Sequence, residues 1–416
     1  MRCLVIGGGI IGLGSAYYLA ESGHEVTVID QTDMTDGCSY GNAGYVCPSH
    51  FVPLATPGIV TQGIRWMFNS RSPFYIEPRL DSGLIDWGLK FVKSATKAKV
   101  AAAAVPLRDI AVFSQHLYEN DWHKNEGLQF SYERKGLLEI FQSAANADHA
   151  HHVVDTAKSL GLETELIDYA ALKALEPGTD IQALGAIFFK CDGHLSPPQL
   201  MKSLKSYLHQ KQVKFVTGRR VDRFEKLQNR ITGIFAGEEK FTADEVIIAN
   251  GSWSRELAAK LNLQIPLVGG RGYSITYENS PFQLNYPSVL MEARVATTPL
   301  GNGSMRFGGT MEITSKTRPA RMKRVEGILN SVKRFYPQFD LPMPAPSDVW
   351  FGYRPCSADG LPYIGRAKGL ENCIIATGHS MLGLSLGAGT GKLVSELAER
   401  KQTSIPLAAF EPSRFD

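Results

Sequence analysis

Three glycines near the N-terminus, Gly7, Gly9 and Gly12, have the G-x-G-x-x-G spacing that lets a backbone receive a diphosphate. Gly7 permits a tight turn, Gly9 lets an anion approach the chain, and Gly12 allows a helix to lie close on a strand. The free N–H groups at the positive end of that helix, those of Ile10 and Ile11 among them, are where the diphosphate would sit. An acid, Asp30, follows roughly 20 residues later, where a dinucleotide fold pairs a carboxylate with ribose hydroxyls. Spaced glycines alone are as often an ordinary turn. The ordered set of strand, glycines, helix, strand and acid is what indicates a bound nucleotide cofactor. His149, His151 and His152 invite a metal reading. However, helical positions i and i+2 point to different faces and no carboxylate pair completes a site, so a solvated face and no metal are expected.

The elements that position these groups follow from apolar patterning. Leu4 to Ile6 is a short apolar run bounded by glycine, as in a strand buried on both faces. Leu13 to Ser22 reads as the helix and Glu25 to Ile29 as the next strand. The same grammar recurs where Ala243 to Ile248 runs into Asn250-Gly251-Ser252-Trp253, and where Cys373 to Thr377 enters Gly378-His379 ahead of a helix from Gly383 to Glu399. Tyr273–Tyr277, Val289–Met291, Ser304–Gly309 and Val349–Tyr353 read as strands without intervening helices, which calls for a second, antiparallel sheet. Leu137 to Phe141 reads as a strand, and helices are expected over 106–124, Ala144 to Leu160, from Pro197 after a Ser196 cap, and from Met322 to Phe335. Residues 51–105, with four prolines among Phe51, Trp66, Phe68, Phe74, Tyr75, Trp87 and Phe91, read as short helices and loops covering something.

Composition sets the outer bounds. A chain of 416 residues supports two or three domains. A net charge of +3 argues against nucleic acid as a partner. The six cysteines form no C-x-x-C pair and no cluster with histidine, so buried, reduced thiols are expected. No window offers about 18 consecutive apolar residues, and the N-terminal run feeds directly into the nucleotide unit instead of a cleavage site. The expectation is a cytoplasmic protein, free or peripheral at the inner membrane.

Four motifs then resemble the D-amino-acid oxidase superfamily of FAD-dependent oxidoreductases, most of all its bacterial D-amino-acid dehydrogenase branch. They are the Gly7/Gly9/Gly12 unit with Asp30, and Ser39 with Asn42-Ala43-Gly44. Next come Trp350-Phe351-Gly352-Tyr353-Arg354-Pro355 with Asp359-Gly360-Leu361-Pro362, and Gly378-His379 with Gly383 running to Phe410-Glu411-Pro412-Ser413-Arg414-Phe415. The resemblance implies a Rossmann-like FAD-binding domain (1–50, 148–180, 195–262 and 355–416). Interleaved with it would be an α+β substrate domain on a largely antiparallel sheet (51–147, 181–194 and 263–354). It implies noncovalent FAD, since Gly352 and Tyr353 stand where tethered relatives carry the linking thiol and Cys356 is displaced from it. Where the family usually has glutamate, this chain has Asp30, one methylene shorter. Ser39, Asn42, Ala43, Gly44, Gly251, Trp253, Gly378, Gly383 and Leu384 would complete the cofactor site.

What the resemblance implies chemically is oxidation of a C–H beside an amine nitrogen, in which the flavin does the hard step and the protein orients. Such a site needs a cation for the substrate carboxylate, and Arg354 is expected there, with Arg271, Arg294 and Arg306 as rivals. Tyr273 is expected either to add a hydroxyl or to pack the core, and His379 either to assist at the flavin or to shape its turn. Glu292 is a candidate for recognising an amine or ring hydroxyl. The expected substrate is a D-amino acid or cyclic imino acid, hydroxy-D-proline by preference, with a quinone, an electron-transfer protein or oxygen taking the electrons. The alternatives are a glycine or sarcosine oxidase, and a flavin-bearing subunit that docks other carriers.

Overall fold

The structure is a computed structural model, and it describes residues 1–59, 61, 63 and 72–416. The expected aromatics Trp66 and Phe68 lie outside the described residues. A six-stranded sheet carries the strands Lys214–Val216, Glu25–Ile29, Arg2–Ile6, Glu245–Ile248, Cys373–Thr377 and Tyr363–Arg366, in that order. The first five run parallel and the last antiparallel. Cys3 to Ile6 are buried, as a strand covered on both faces requires. The helix Ile10–Glu21 is apolar nearly all round because it too is enclosed, by the sheet on one side and the helix Gly387–Ala398 on the other.

The second layer is a nine-stranded sheet. Its order is Val349–Ser357, Leu267–Tyr277, Ser304–Ile313, Val295–Gly301, Ser288–Leu290, Leu137–Phe141, Gly185–Phe189 and Thr164–Asp168, with Phe74–Ile76 added beside Ser304–Ile313. Pairing is antiparallel except where Ser288–Leu290 meets Leu137–Phe141 and where Phe74–Ile76 joins. One face packs on the helix Met322–Phe335 through Tyr273, Ile275, Phe307, Val325, Ile328 and Val332. The other face looks toward the six-stranded layer. This is the expected α/β sheet facing a largely antiparallel one.

Two expected domain assignments differ from the packing. The segment 148–180 was expected with the nucleotide domain, yet its helix Ala144–Ser159 packs on Phe141, Ile187 and Phe189, and Thr164–Asp168 pairs with Gly185–Phe189 in the nine-stranded sheet. Conversely the helix Lys97–Leu117 and the π turn Tyr118–Trp122, expected with the substrate domain, pack on Leu386 and Leu393 and on the first helix. The C-terminal helix starts at Gly387, four residues later than expected, because 383–386 form a turn. Among the described residues no helix is long and apolar enough to cross a membrane.

Candidate functional site

Between the layers lies a cavity of about 1740 Å³, bordered by the first glycine turn at one end and by the nine-stranded sheet along its length. Single small-molecule pockets hold roughly 300–1,000 Å³, so this one has room for a dinucleotide and a substrate together. Gly7 turns with φ +111° and its N–H donates to the Ile29 carbonyl at 2.8 Å. A Cβ on Gly12 would stand 1.8 Å from the Gly7 carbonyl oxygen, so only glycine lets the helix start that close to the strand. A Cβ on Gly9 would meet one atom within 4 Å, Ser39 Oγ at 3.5 Å, which leaves its side of the turn open for a diphosphate. The helix has no acidic side chain in its first turn, as suits an anion at its N-terminus. Ser39 Oγ accepts from the Ile10 N–H at 2.9 Å and so fixes the loop to the helix start.

Asp30 borders the cavity, but its carboxylate is already engaged. Oδ2 accepts from the Gly8 N–H at 2.7 Å, and Oδ1 accepts from the Thr32 N–H and Oγ1 at 2.9 and 3.1 Å. The shorter acid thus braces the glycine turn from behind. Asn42 Oδ1 accepts from the Gly44 N–H and Asn42 Nδ2 reaches the Met381 carbonyl, tying the 39–44 loop to the 380s turn. Ala43, Gly251, Trp253, Gly383 and Leu384 border the cavity; Gly44 and Gly378 do not, and act as turns with φ +90° and +80°. Lys316, which belongs to no motif legible in the chain, stacks its ammonium 4.3 Å over Trp253 and donates to the Ser252 carbonyl.

The rival arginines separate by their partners. Arg271 is fully buried and pairs with Glu312 at 2.8 Å, on the face away from the cavity. Arg306 donates to the Tyr40 and Asn42 carbonyls at 2.8 and 2.7 Å, so it anchors the cofactor loop. Arg294 borders the cavity but is exposed. Arg354 is half-buried on the cavity wall and makes one hydrogen bond among the described residues, from Nη1 to the Thr310 carbonyl at 2.6 Å. Its guanidinium lies flat over Gly272, where a Cβ would come within 2.1 Å of it. Burial lowers its pKa from the ordinary value, and the Cys38 and Cys356 thiols partly oppose that. It stays charged at neutral pH.

Two expected roles are corrected. The Tyr273 hydroxyl donates to Glu312 Oε2 at 2.7 Å and accepts from the Arg321 N–H, so it is committed to the buried ion cluster and offers nothing to a substrate. Glu292 Oε1 accepts from the N–H groups of Gln142 and Ser143 and from Ser143 Oγ, holding the start of a helix. His379 borders the cavity with its Nε2 3.0 Å from Thr390 Oγ1, and burial pushes its pKa down to about 3. It is a neutral imidazole that shapes the turn. The sequence also suggested no cysteine–histidine cluster, whereas ligand atoms of Cys47, His50 and Asp192 lie within 4.8 Å of one another. Asp192 there accepts from the Ser49 N–H and Oγ, and burial raises the Cys47 thiol, so the carboxylate is engaged within the protein and the thiol stays protonated. All six cysteines are free.

A glycine-turn sheet facing a second sheet across a cavity with room for a dinucleotide, with Arg354 on the wall between them, is the architecture of a nucleotide-cofactor protein. A family model described as FAD dependent oxidoreductase (DAO) matches residues 2–397, and the chain belongs to that family. It is 30% identical over 426 residues to a D-amino acid dehydrogenase of Allorhizobium ampelinum, covering 100% of this chain and 99% of that one. To a D-amino acid dehydrogenase of Cereibacter sphaeroides it is 31% identical over 424 residues, covering 100% and 95%. Its fold is similar to glycine oxidase from Geobacillus kaustophilus, with a TM-score of 0.77 at 21% identity over 100% and 99% of the two chains. L-proline dehydrogenase from P. horikoshii gives a TM-score of 0.73 at 19% identity, over 100% and 97%. The cofactor is FAD, and the glycine cradle and cavity fit it.

Proposed function

We propose that the chain is an FAD-dependent dehydrogenase of D-amino acids or cyclic imino acids, with hydroxy-D-proline the preferred member of that class. The observation that carries this reading is Arg354, a half-buried guanidinium with a single carbonyl partner among the described residues, on the wall of a cavity with room for the cofactor. A guanidinium grips a carboxylate through two parallel hydrogen bonds, which fixes the direction of the Cα–H as well as affinity. FAD held there would supply the two-electron acceptor for oxidation of an amino acid to its imine, which water then hydrolyses. Arg354 orients the substrate, and the buried ends of the turn at 379–385, His379 with Ser380 and Leu384 with Ser385, exclude water. His379 on the wall is held neutral and hydrogen-bonded, which makes it a poor base.

Noncovalent attachment is part of the reading. Burial raises the Cys356 thiol above its ordinary pKa, and its sulfur is packed 3.9 Å from Met311 Sδ. Acid precipitation should therefore release the flavin into the supernatant. The names of the relatives support a D-amino acid as donor. The test is anaerobic flavin reduction by a panel of D-amino acids and cyclic imino acids, followed by turnover with a dye acceptor and again under oxygen. No reduction by any member would end the reading, and faster turnover with oxygen than with dye would make the chain an oxidase.

A further inference from the structure

Glu139 stands on the cavity wall in the strand Leu137–Phe141, half-buried, and makes no hydrogen bond among the described residues. The carboxyl is pushed up to about 7 by burial, against the pull of Arg294, while Asp192 adds to the rise. The sheet register shows what it faces. Glu139 pairs with Val289, Val289 with Ala296, Ala296 with Gly308, Gly308 with Ser274 and Ser274 with Trp350. Ladder partners share a face and alternate residues along a strand share it too. Glu139 and Arg354, four residues beyond Trp350, therefore lie on the same face. Leu138 and Ile140, on either side of Glu139, point into the opposite core.

Arg354 extends its charge across the sheet as far as the Thr310 carbonyl, on the strand Ser304–Ile313. From Thr310 to Glu139 is three strand spacings of about 4.8 Å across and two residues of about 3.4 Å along, since Gly308 is the residue in Glu139's row, or roughly 16 Å in all. Two hydrogen bonds of about 2.8 Å leave roughly 10 Å for whatever bridges them, about the span of an extended amino acid of six or seven carbons. The floor between is Gly308, Ala296 and Val289, small or apolar, with Tyr45 and Cys47 as a side wall. It is a surface for methylenes with a cation at one end and a carboxyl at the other.

We propose that Glu139 determines specificity by accepting a hydrogen bond from a donor at the far end of the substrate, opposite the carboxylate held by Arg354. The assignment rests on the amino-acid reading for the Arg354 end. The donor is either the ammonium of a linear chain, which reaches Glu139 directly, or a ring hydroxyl, which reaches it through one bridging water.

The test uses holoenzyme and matched ligands. Dissociation constants of 6-aminohexanoate and hexanoate, neither of them oxidisable at Cα, are read from the flavin absorbance in wild type and Glu139→Gln. In parallel, kcat/KM is measured for D-lysine against D-norleucine and for cis-4-hydroxy-D-proline against D-proline. The wild type should prefer the donor-bearing member of at least one substrate pair. Glu139→Gln should cost that member roughly 10- to 100-fold and its apolar partner less than about twofold. The lysine pair responding identifies the ammonium; the proline pair responding alone identifies the hydroxyl. Glu139→Asp, one methylene shorter, should move the linear-ligand preference from 6-aminohexanoate to 7-aminoheptanoate if the ammonium is the donor. Equal losses on both members of every pair, or no wild-type preference in any, overturn the subsite even where D-amino acids reduce the flavin. A preference for 6-aminohexanoate that Glu139→Gln abolishes, with no flavin reduction by any amino acid, leaves the subsite standing and refutes the reaction.

Discussion

Arg354 offers the sharpest test of the reaction. Among the described residues its guanidinium has one hydrogen-bond partner, the Thr310 carbonyl, so removing it unpairs little there. The loss falls on the substrate, whose carboxylate would then enter a water-poor cavity without a counter-charge. Truncating one member of a buried, hydrogen-bonded charge pair costs about 2–5 kcal/mol, which is roughly 30- to 5,000-fold. Arg354→Ala should lose kcat/KM on that scale with an amino acid, measured anaerobically by flavin reduction, while its flavin spectrum and melting temperature hold. Arg354→Lys should recover part of the loss, because an ammonium lacks the planar fork. An amine without the carboxylate provides the control and should show far less change. Equal losses on acid and amine would mean that Arg354 supports structure. Unchanged kinetics would remove the carboxylate clamp and, with it, the main physical support for an amino-acid substrate.

Gly12→Val should empty the cofactor site, since its Cβ would lie 1.8 Å from the Gly7 carbonyl; flavin per mole of purified protein measures this, and full occupancy would refute the placement. Glu312→Gln removes the charge that Arg271 and Arg324 share in the buried cluster and should lower unfolding stability in urea by about 3–5 kcal/mol; a loss under 1 would show the cluster to be neutral in effect. His379, held down to about 3, binds no proton in the folded state between pH 7 and 5, whereas the unfolded chain binds one below about 6.5. Stability therefore falls with pH in that window, and wild type should lose about 2 kcal/mol more than His379→Gln between pH 7 and pH 5. Parallel pH curves for the two proteins would contradict a buried neutral imidazole.

Local patterning was a reliable guide where one residue's neighbours in sequence are also its neighbours in space. The strand Glu25–Ile29 and the helix Met322–Phe335 have the bounds read from their apolar spacing. The helix expected from 106 instead begins at Lys97, capped by Thr96, and carries Pro106 in its interior. Proline has no N–H to offer the carbonyl four residues back, so it reads as a start even where the alanines before it are already helical. What the sequence could not sort was the roles of polar residues on the nine-stranded sheet. Arg271, Arg306 and Arg354 are all strand arginines, and only the pairing of distant segments shows that one meets Glu312, one meets the 40–42 loop and one meets the Thr310 carbonyl on the cavity wall. Glu139 gave no signal for the same reason. Its opposite number lies more than 200 residues away in the chain.

The pleat itself divides that sheet into two electrostatic environments. Arg354 pairs with Gly270 and Tyr353 with Arg271, so neighbouring residues on one strand are sent to opposite faces. On the helix side, Arg271, Arg324 and Tyr273 converge on Glu312, and the charges there are satisfied within the protein. On the cavity side, the register shifts between Arg271 and Tyr273, and Thr310 takes φ +68°, a left-handed conformation that a β-branched residue rarely adopts. The Thr310 carbonyl there accepts from Arg354, and Gly272 leaves the guanidinium space to lie flat. A slip of one residue by the strand Leu267–Tyr277 would turn Arg271 to the cavity. The ion cluster around Glu312 opposes that slip, because it can form in one register only. Stability on one face thus fixes which cation is available on the other.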